Sequence, residues 1–141
     1  MRWADASVRG VATVSVRYFV DDVDAAIAFY RDLLGFEVVM HPAPPFAMLA
    51  RGDLRLLLRA PGGGPGGGAA MPDGRLPEPG GWNRFQLEVG DIDAEAARLR
   101  SAGASLRSDV IRGVGGDQVI VEDPSGNPVE LFQPHPYDEA R

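Results

Sequence analysis

The sequence predicts an α+β fold built from two paired βαβββ modules within 141 residues. Three observations lead there. The step Val20-Asp21-Asp22-Val23-Asp24-Ala25 returns as Val89-Gly90-Asp91-Ile92-Asp93-Ala94, which is an internal repeat. Each copy joins a run of β-formers to an amphipathic helix that stops at a glycine, Gly35 or Gly103. Each helix is then followed by three candidate strands. A single βαβββ unit covers one face of its sheet with a helix, so the natural partner for the bare face is its own copy.

In order along the chain, Thr13 to Val20 alternates side-chain character and is rich in β-formers, so it is a strand. From Asp22, Val23, Ala26, Ile27, Tyr30, Leu33 and Leu34 recur at helical spacing. Asp22 can cap the start, and Gly35 suits the position after the last turn. Phe36 to Met40, Phe46 to Ala50 and Leu54 to Arg59 are strands, the last two joined through Arg51-Gly52-Asp53. Residues Pro61 to Gly81 open on a Gly/Pro run with no hydrophobic period, which predicts a flexible loop and a flap over any site nearby. It lacks the Lys-Ser/Thr ending of a phosphate loop.

The second copy starts with a strand through Trp82-Asn83-Arg84 that carries Arg84, Gln86 and Glu88 on one face. Its helix buries Ile92, Ala96, Leu99 and Ala102, and its strands are Ser105 to Ser108, Gln118 to Glu122 and Val129 to Gln133. The expected organisation is one domain over 1–141: module one at about 12–60, the loop at 61–81, module two at about 82–134, and a tail at 135–141. Asp123-Pro124-Ser125-Gly126-Asn127-Pro128 is a run of turn residues, after which alternation places Glu130 and Phe132 on one sheet face and Val129 and Leu131 on the other.

Composition excludes several classes of function. The net charge is −6 and the basic residues are scattered, which leaves no stripe for DNA, RNA or an anionic membrane. There is no cysteine, hence no disulfide, thiolate metal site or Cys nucleophile. MRWADASVRG carries no apolar run, and no stretch approaches the ~18 apolar residues of a membrane span, so the expectation is a cytoplasmic protein. His41 beside Pro42 and His135 in the tail read as exposed residues, Asp22 and Asp91 as helix caps, and Tyr30 as core.

The two modules, the repeated step, Phe29-Tyr30-Arg31-Asp32-Leu33-Leu34-Gly35-Phe36-Glu37-Val38 and Asp123 to Phe132 together resemble the vicinal oxygen chelate superfamily, the glyoxalase, bleomycin resistance and dioxygenase group. The likeness spans roughly residues 12 to 134. It implies a curved, cup-shaped sheet around a small-molecule site, often in a homodimer, on a scaffold that hosts several activities. In metal-using members the ligands are His, Glu, His and Glu, on the first and last strands of the two modules. The resemblance places those positions at Ser15, within Leu54 to Leu58, at Arg84 and at Glu130. One carboxylate beside a permanent cation does not make a divalent site, so no metal or other cofactor is expected.

If these positions converge, Glu130 faces Arg84 and a charge-assisted pair stands where relatives hold a metal. The expected ligand-contacting set is Ser15, Arg17, Phe19, Phe46, Met48, Trp82, Arg84, Gln86, Gln118, Glu130 and Phe132, with Glu130 the one candidate for a catalytic base. The function this predicts is metal-free binding of a small amphipathic molecule, of the bleomycin-resistance kind. The alternative is a glyoxalase-like lyase or isomerase, or a dioxygenase-type enzyme, with an unusual or absent metal set.

Overall fold

The computed structural model describes residues 13–64 and 66–136. The chain divides after Gly80 into two compact units. In the first, β1 (Val14–Phe19) leads to α1 (Val23–Leu34) and then to β2 (Glu37–Ala43), β3 (Phe46–Arg51) and β4 (Leu54–Arg59). The strand order is β1-β4-β3-β2, with β1 parallel to β4 and the other pairs antiparallel. The second unit repeats this plan: β5 (Gln86–Glu88), α2 (Ile92–Ser101), β6 (Ser105–Leu106), β7 (Ile111–Arg112), β8 (Gly116–Glu122) and β9 (Pro128–Pro134). Its order is β5-β9-β8-β6, with β7 also on β8 and β5 parallel to β9. The first unit is therefore βαβββ, and the second follows the same plan with the strand after its helix broken into β6 and β7, both on β8; in each unit the first strand lies parallel to the last.

The repeated acidic step makes the two helix starts alike. Asp22 accepts from the Ala25 N–H and Asp91 from the Ala94 N–H, each at 3.1 Å, which satisfies one donor that the first turn leaves unpaired. Gly35 closes α1 at φ 73°, a left-handed conformation that favours glycine. Helix α1 buries Val23, Ala26, Ile27, Phe29, Tyr30 and Leu34 against its sheet. Tyr30 is fully buried and makes edge contacts with Phe29 and Phe36, so it is core as expected. Leu49, Leu56 and Leu58, all fully buried, share the helix-covered face, each worth about 2 kcal/mol. In the second unit Leu87, Ile92, Leu99, Val119, Val121, Val129 and Leu131 form the equivalent core, while Ala102 is exposed rather than part of the stripe.

Several boundaries differ from the sequence expectation. Residues 82–84 are not a strand. Glu130 N–H donates to the Phe85 carbonyl, and the next rung toward Asn83 would need an N–H from Pro128, which proline lacks. Strand β2 runs on through His41 and Pro42 to Ala43. It lies at the sheet edge and is irregular between Val38 and Ala43, where a proline is tolerated. The stretch expected as one strand at 105–108 ends at Leu106. Pairing resumes with β7, whose two residues were too short a pattern to read.

The Gly/Pro-rich segment, expected to be a flexible flap, makes defined contacts. Its first part is folded onto arginines of the first sheet. Gly62 N–H closes a ring on the Gly68 carbonyl at 2.8 Å. Inside it, Arg59, only 1% exposed, donates to the carbonyls of Ala60, Gly63 and Gly64, and Arg17 donates to Gly66. Glycine is required at two positions: a Cβ on Gly68 would lie 2.6 Å from the Ala60 carbonyl oxygen, a backbone atom, and Gly67 sits at φ 85°, where a side chain is strained.

Candidate functional site

Parity and register decide which predicted residues share a face. In the first sheet Ser15, Arg17 and Phe19 pair with Arg55, Leu57 and Arg59, and Phe46 and Met48 pair with Arg59 and Leu57. All therefore lie on the face turned away from the leucines that pack under α1. Arg55 and Arg59, both buried, belong to this face and were missed. The signal was present in Leu54-Arg55-Leu56-Leu57-Leu58-Arg59, where alternation puts both arginines opposite Leu56 and Leu58.

Beside this face is a cavity of about 690 Å³, lined by Phe19, Gly67, Met71, Arg75, Leu76, Pro77 and Glu78. Phe19 is the only member anticipated. The rest come from residues 67–78, whose composition carried no hydrophobic period to signal a wall.

In the second sheet Gln86 pairs with Glu130, Glu130 with Ile120, and Phe132 with both Glu88 and Gln118, so these side chains share the face opposite Leu87, Val129 and Leu131. Glu130 is 8% exposed. Arg84 donates to its Oε1 twice, from Nη2 at 2.8 Å and from Nε at 3.0 Å. Gln86 donates to Oε2 at 2.6 Å. Gln118, with its amide nitrogen turned toward the carboxylate, donates at 3.2 Å to each oxygen. A carboxylate has about four lone-pair sites, and these donors engage them all. Arg84 also donates from Nη1 to the Trp82 carbonyl at 3.2 Å, which leaves one N–H on each terminal nitrogen for a ligand.

This donor set does not fit a divalent cation. Glu130 would have to give up its charge-assisted bonds to ligate one, and Arg84 places a permanent positive charge beside it. Among the described residues no group of three or more His, Asp or Glu side chains could hold a metal ion. Glu130 can accept a proton from a substrate only by losing one of its present donors.

Trp82 is 72% exposed, and the Arg107 guanidinium lies 4.6 Å from its ring centre. Arg107 in turn donates to Glu122 and to the Gly81 carbonyl, so the Trp82 side chain is braced by a second ion pair. Phe132 closes over Gly116, where a Cβ would lie 2.5 Å from its ring. His41 faces the exposed Asp24, at 4.0 Å. His135 faces the Val114 carbonyl and Asp117, both at 3.1 Å. Neither histidine joins the Glu130 cluster. Asp117 also accepts from Arg112, and this guanidinium, aided by His135, holds its carboxyl below the usual aspartate range.

Among known proteins, a family model for the Glyoxalase/Bleomycin resistance protein/Dioxygenase superfamily matches residues 12–131. No curated protein matches the sequence. Solved structures similar to this chain include the following three. A lactoylglutathione lyase from Agrobacterium tumefaciens is 27% identical, with 86% of this chain and 92% of that one covered at a TM-score of 0.66. TnmS3, an antibiotic binding protein from a Streptomyces species, is 25% identical, with 88% and 96% covered at a TM-score of 0.66. A superfamily member from Sphaerobacter thermophilus is 25% identical, with 87% and 97% covered at a TM-score of 0.69. No helix among the described residues is long and apolar enough to cross a membrane. With repeated βαβββ modules and a family match over nearly its whole length, the chain belongs to the Glyoxalase/Bleomycin resistance protein/Dioxygenase superfamily.

Proposed function

We propose that this protein binds a small amphipathic molecule without a metal. The observation that carries the reading is Glu130. It stands at the position where the resemblance to metal-using relatives puts a ligand, yet its lone pairs are engaged by Arg84, Gln86 and Gln118. The cluster offers a ligand the remaining N–H groups of Arg84, a polar anchor of the kind that orients a bound molecule against apolar walls. The cavity beside Phe19 supplies a concave apolar surface in the first unit. An antibiotic binding protein among the similar structures supports an antibiotic-like compound as the ligand.

The test is a thermal-shift screen of amphipathic compounds, antibiotics included, on protein purified without chelator, with its metal content measured. The reading predicts hits on metal-free protein. A tightly held stoichiometric metal, or silence across the screen, overturns it. The similarity to a lactoylglutathione lyase sustains a second reading, glyoxalase-like lyase chemistry. Turnover of the methylglyoxal-glutathione hemithioacetal would favour that reading over binding alone.

A further inference from the structure

We propose that Arg107 is a positioning residue for Arg84, the guanidinium that anchors a ligand beside Glu130. This rests on the reading of Arg84 as the ligand anchor and adds the residue that holds it in place. The approach to β5 lacks the support a strand would have. Sheet pairing ends with the bond from the Glu130 N–H to the Phe85 carbonyl, and among the described residues 81–84 join no neighbouring strand. Gly80 and Gly81 come just before Trp82 at φ 102° and 95°, a region that glycine enters readily, and add no stiffness. The place of Arg84 is therefore set by side chains.

Two guanidinium groups set it. Arg84 itself donates from Nη1 to the Trp82 carbonyl at 3.2 Å. Arg107 donates from Nη2 to the Gly81 carbonyl at 3.0 Å and from the same nitrogen to the Gly126 carbonyl at 3.3 Å, which ties the segment to the turn between β8 and β9. Its Nε donates to Glu122 at 2.9 Å, and its Cζ lies 4.6 Å from the centre of the Trp82 ring. Arg107 thus grips both Gly81 and Trp82. Its Nη1 is buried without a hydrogen-bond partner. An exposed pair with Glu122 alone would leave that nitrogen in water, so the guanidinium is drawn in against the segment at the cost of a buried donor.

Arg107 does not act on Glu130 directly. Its N–H donates to the Ile120 carbonyl, which sets it across from Ile120, and Ile120 pairs with Glu130. The three share one row of one sheet face, with Arg107 two strands, about 10 Å, from Glu130. Its Nε and Nη2 are engaged elsewhere and its Nη1 has no partner, so the route to Glu130 runs through Trp82 and Arg84. With the segment held, Arg84 meets Glu130 at 2.8 and 3.0 Å before a ligand arrives, and its unused N–H groups are already oriented.

The test follows the Arg84 Nε–H, which donates to Glu130, by NMR of the full-length protein; its signal is identified by its loss in Arg84→Lys. Exchange of this proton with water should be about fivefold faster in Arg107→Met, the worth of one net hydrogen bond. Glu122→Gln removes the ion pair and keeps the Arg107 bonds to the Gly81 and Gly126 carbonyls, so its rate should match the parent. Arg107→Lys keeps the charge but cannot place donors at both the Nε and Nη2 positions; an intermediate rate is expected, and this variant decides the matter if Arg107→Met does not fold. A merely structural Arg107 would lower the melting temperature and leave the Arg84 proton unmoved. An unchanged rate in the folded Arg107 variants, or equal acceleration in Glu122→Gln, overturns the assignment. Silence in the compound screen would overturn the binding reading and leave this result standing.

Discussion

Removal of either partner of the Arg84–Glu130 pair should destabilise the second unit, and removal of both should cost less than the two losses added. The side chains are 25% and 11% exposed, between the surface limit, where a pair is worth about 0–1 kcal/mol, and the buried limit, where breaking one costs about 3–5 kcal/mol. Glu130→Gln leaves Arg84 without its anion but keeps an amide that can bond Gln118, so we expect a loss of about 2 kcal/mol. Arg84→Met leaves a buried carboxylate that still accepts from Gln86 at 2.6 Å, so the loss should be about 1–2 kcal/mol. The double variant should recover about 1 kcal/mol of the summed losses, because neither charge is then left unpaired. Thermal and urea melts of the four proteins measure this, with shifts of about 3 °C per kcal/mol for a chain of this size. Small, additive effects in all variants would refute the reasoning, since the charges would then not depend on each other. Stabilisation of Arg84→His, but not of the parent, by Zn²⁺ would mean the site is one residue from a metal centre.

Arg59→Met should release the segment from Gly62 to Gly68 and cost about 2–3 kcal/mol, as charge-assisted bonds to the Gly63 and Gly64 carbonyls are lost; hydrogen exchange at the Gly62 amide should accelerate, and Arg59→Lys should restore only part of the protection. For the same reason, deletion of Gly62–Gly68 should lower the melting temperature, whereas an idle linker would leave it unchanged. Asp117 has a folded-state pKa depressed by Arg112, so its contribution to stability is present above the ordinary aspartate range and is lost as the pH falls through that range toward the folded value. Asp117→Asn should therefore flatten the acid limb of a stability–pH curve. The protein should sediment as a homodimer, since among the described residues β1 and β2, and β5 and β6, stand at the ends of their sheets and sheet edges favour covering; a species near 15.1 kDa at micromolar concentration would contradict this.

Most of the scaffold could be read from local signals. The two aspartate caps, the glycine after α1 and the strand parities each depend on a few adjacent residues, and tertiary packing left them intact. The Arg84–Glu130 contact joins residues 46 positions apart, and no local pattern encodes it. It was anticipated because the resemblance supplied the two positions and alternation supplied the face. Contacts made by backbone carbonyls rather than side chains were not legible. The Gly-rich segment has no hydrophobic period because its fold consists of carbonyls aimed at Arg17 and Arg59. A composition that reads as a flexible linker is therefore also compatible with a turn folded around a guanidinium. The strand at 82–84 failed for a different reason: its partner's missing N–H, at Pro128, is 44 or more residues away in sequence.

The most direct test of metal-free ligand binding is one titration performed twice: a hit from the compound screen into metal-stripped protein, with and without one equivalent of Zn²⁺. Saturable one-to-one binding with the same midpoint is expected in both, because the Glu130 lone pairs are already engaged by protein donors. Binding that appears only when Zn²⁺ is present would contradict it.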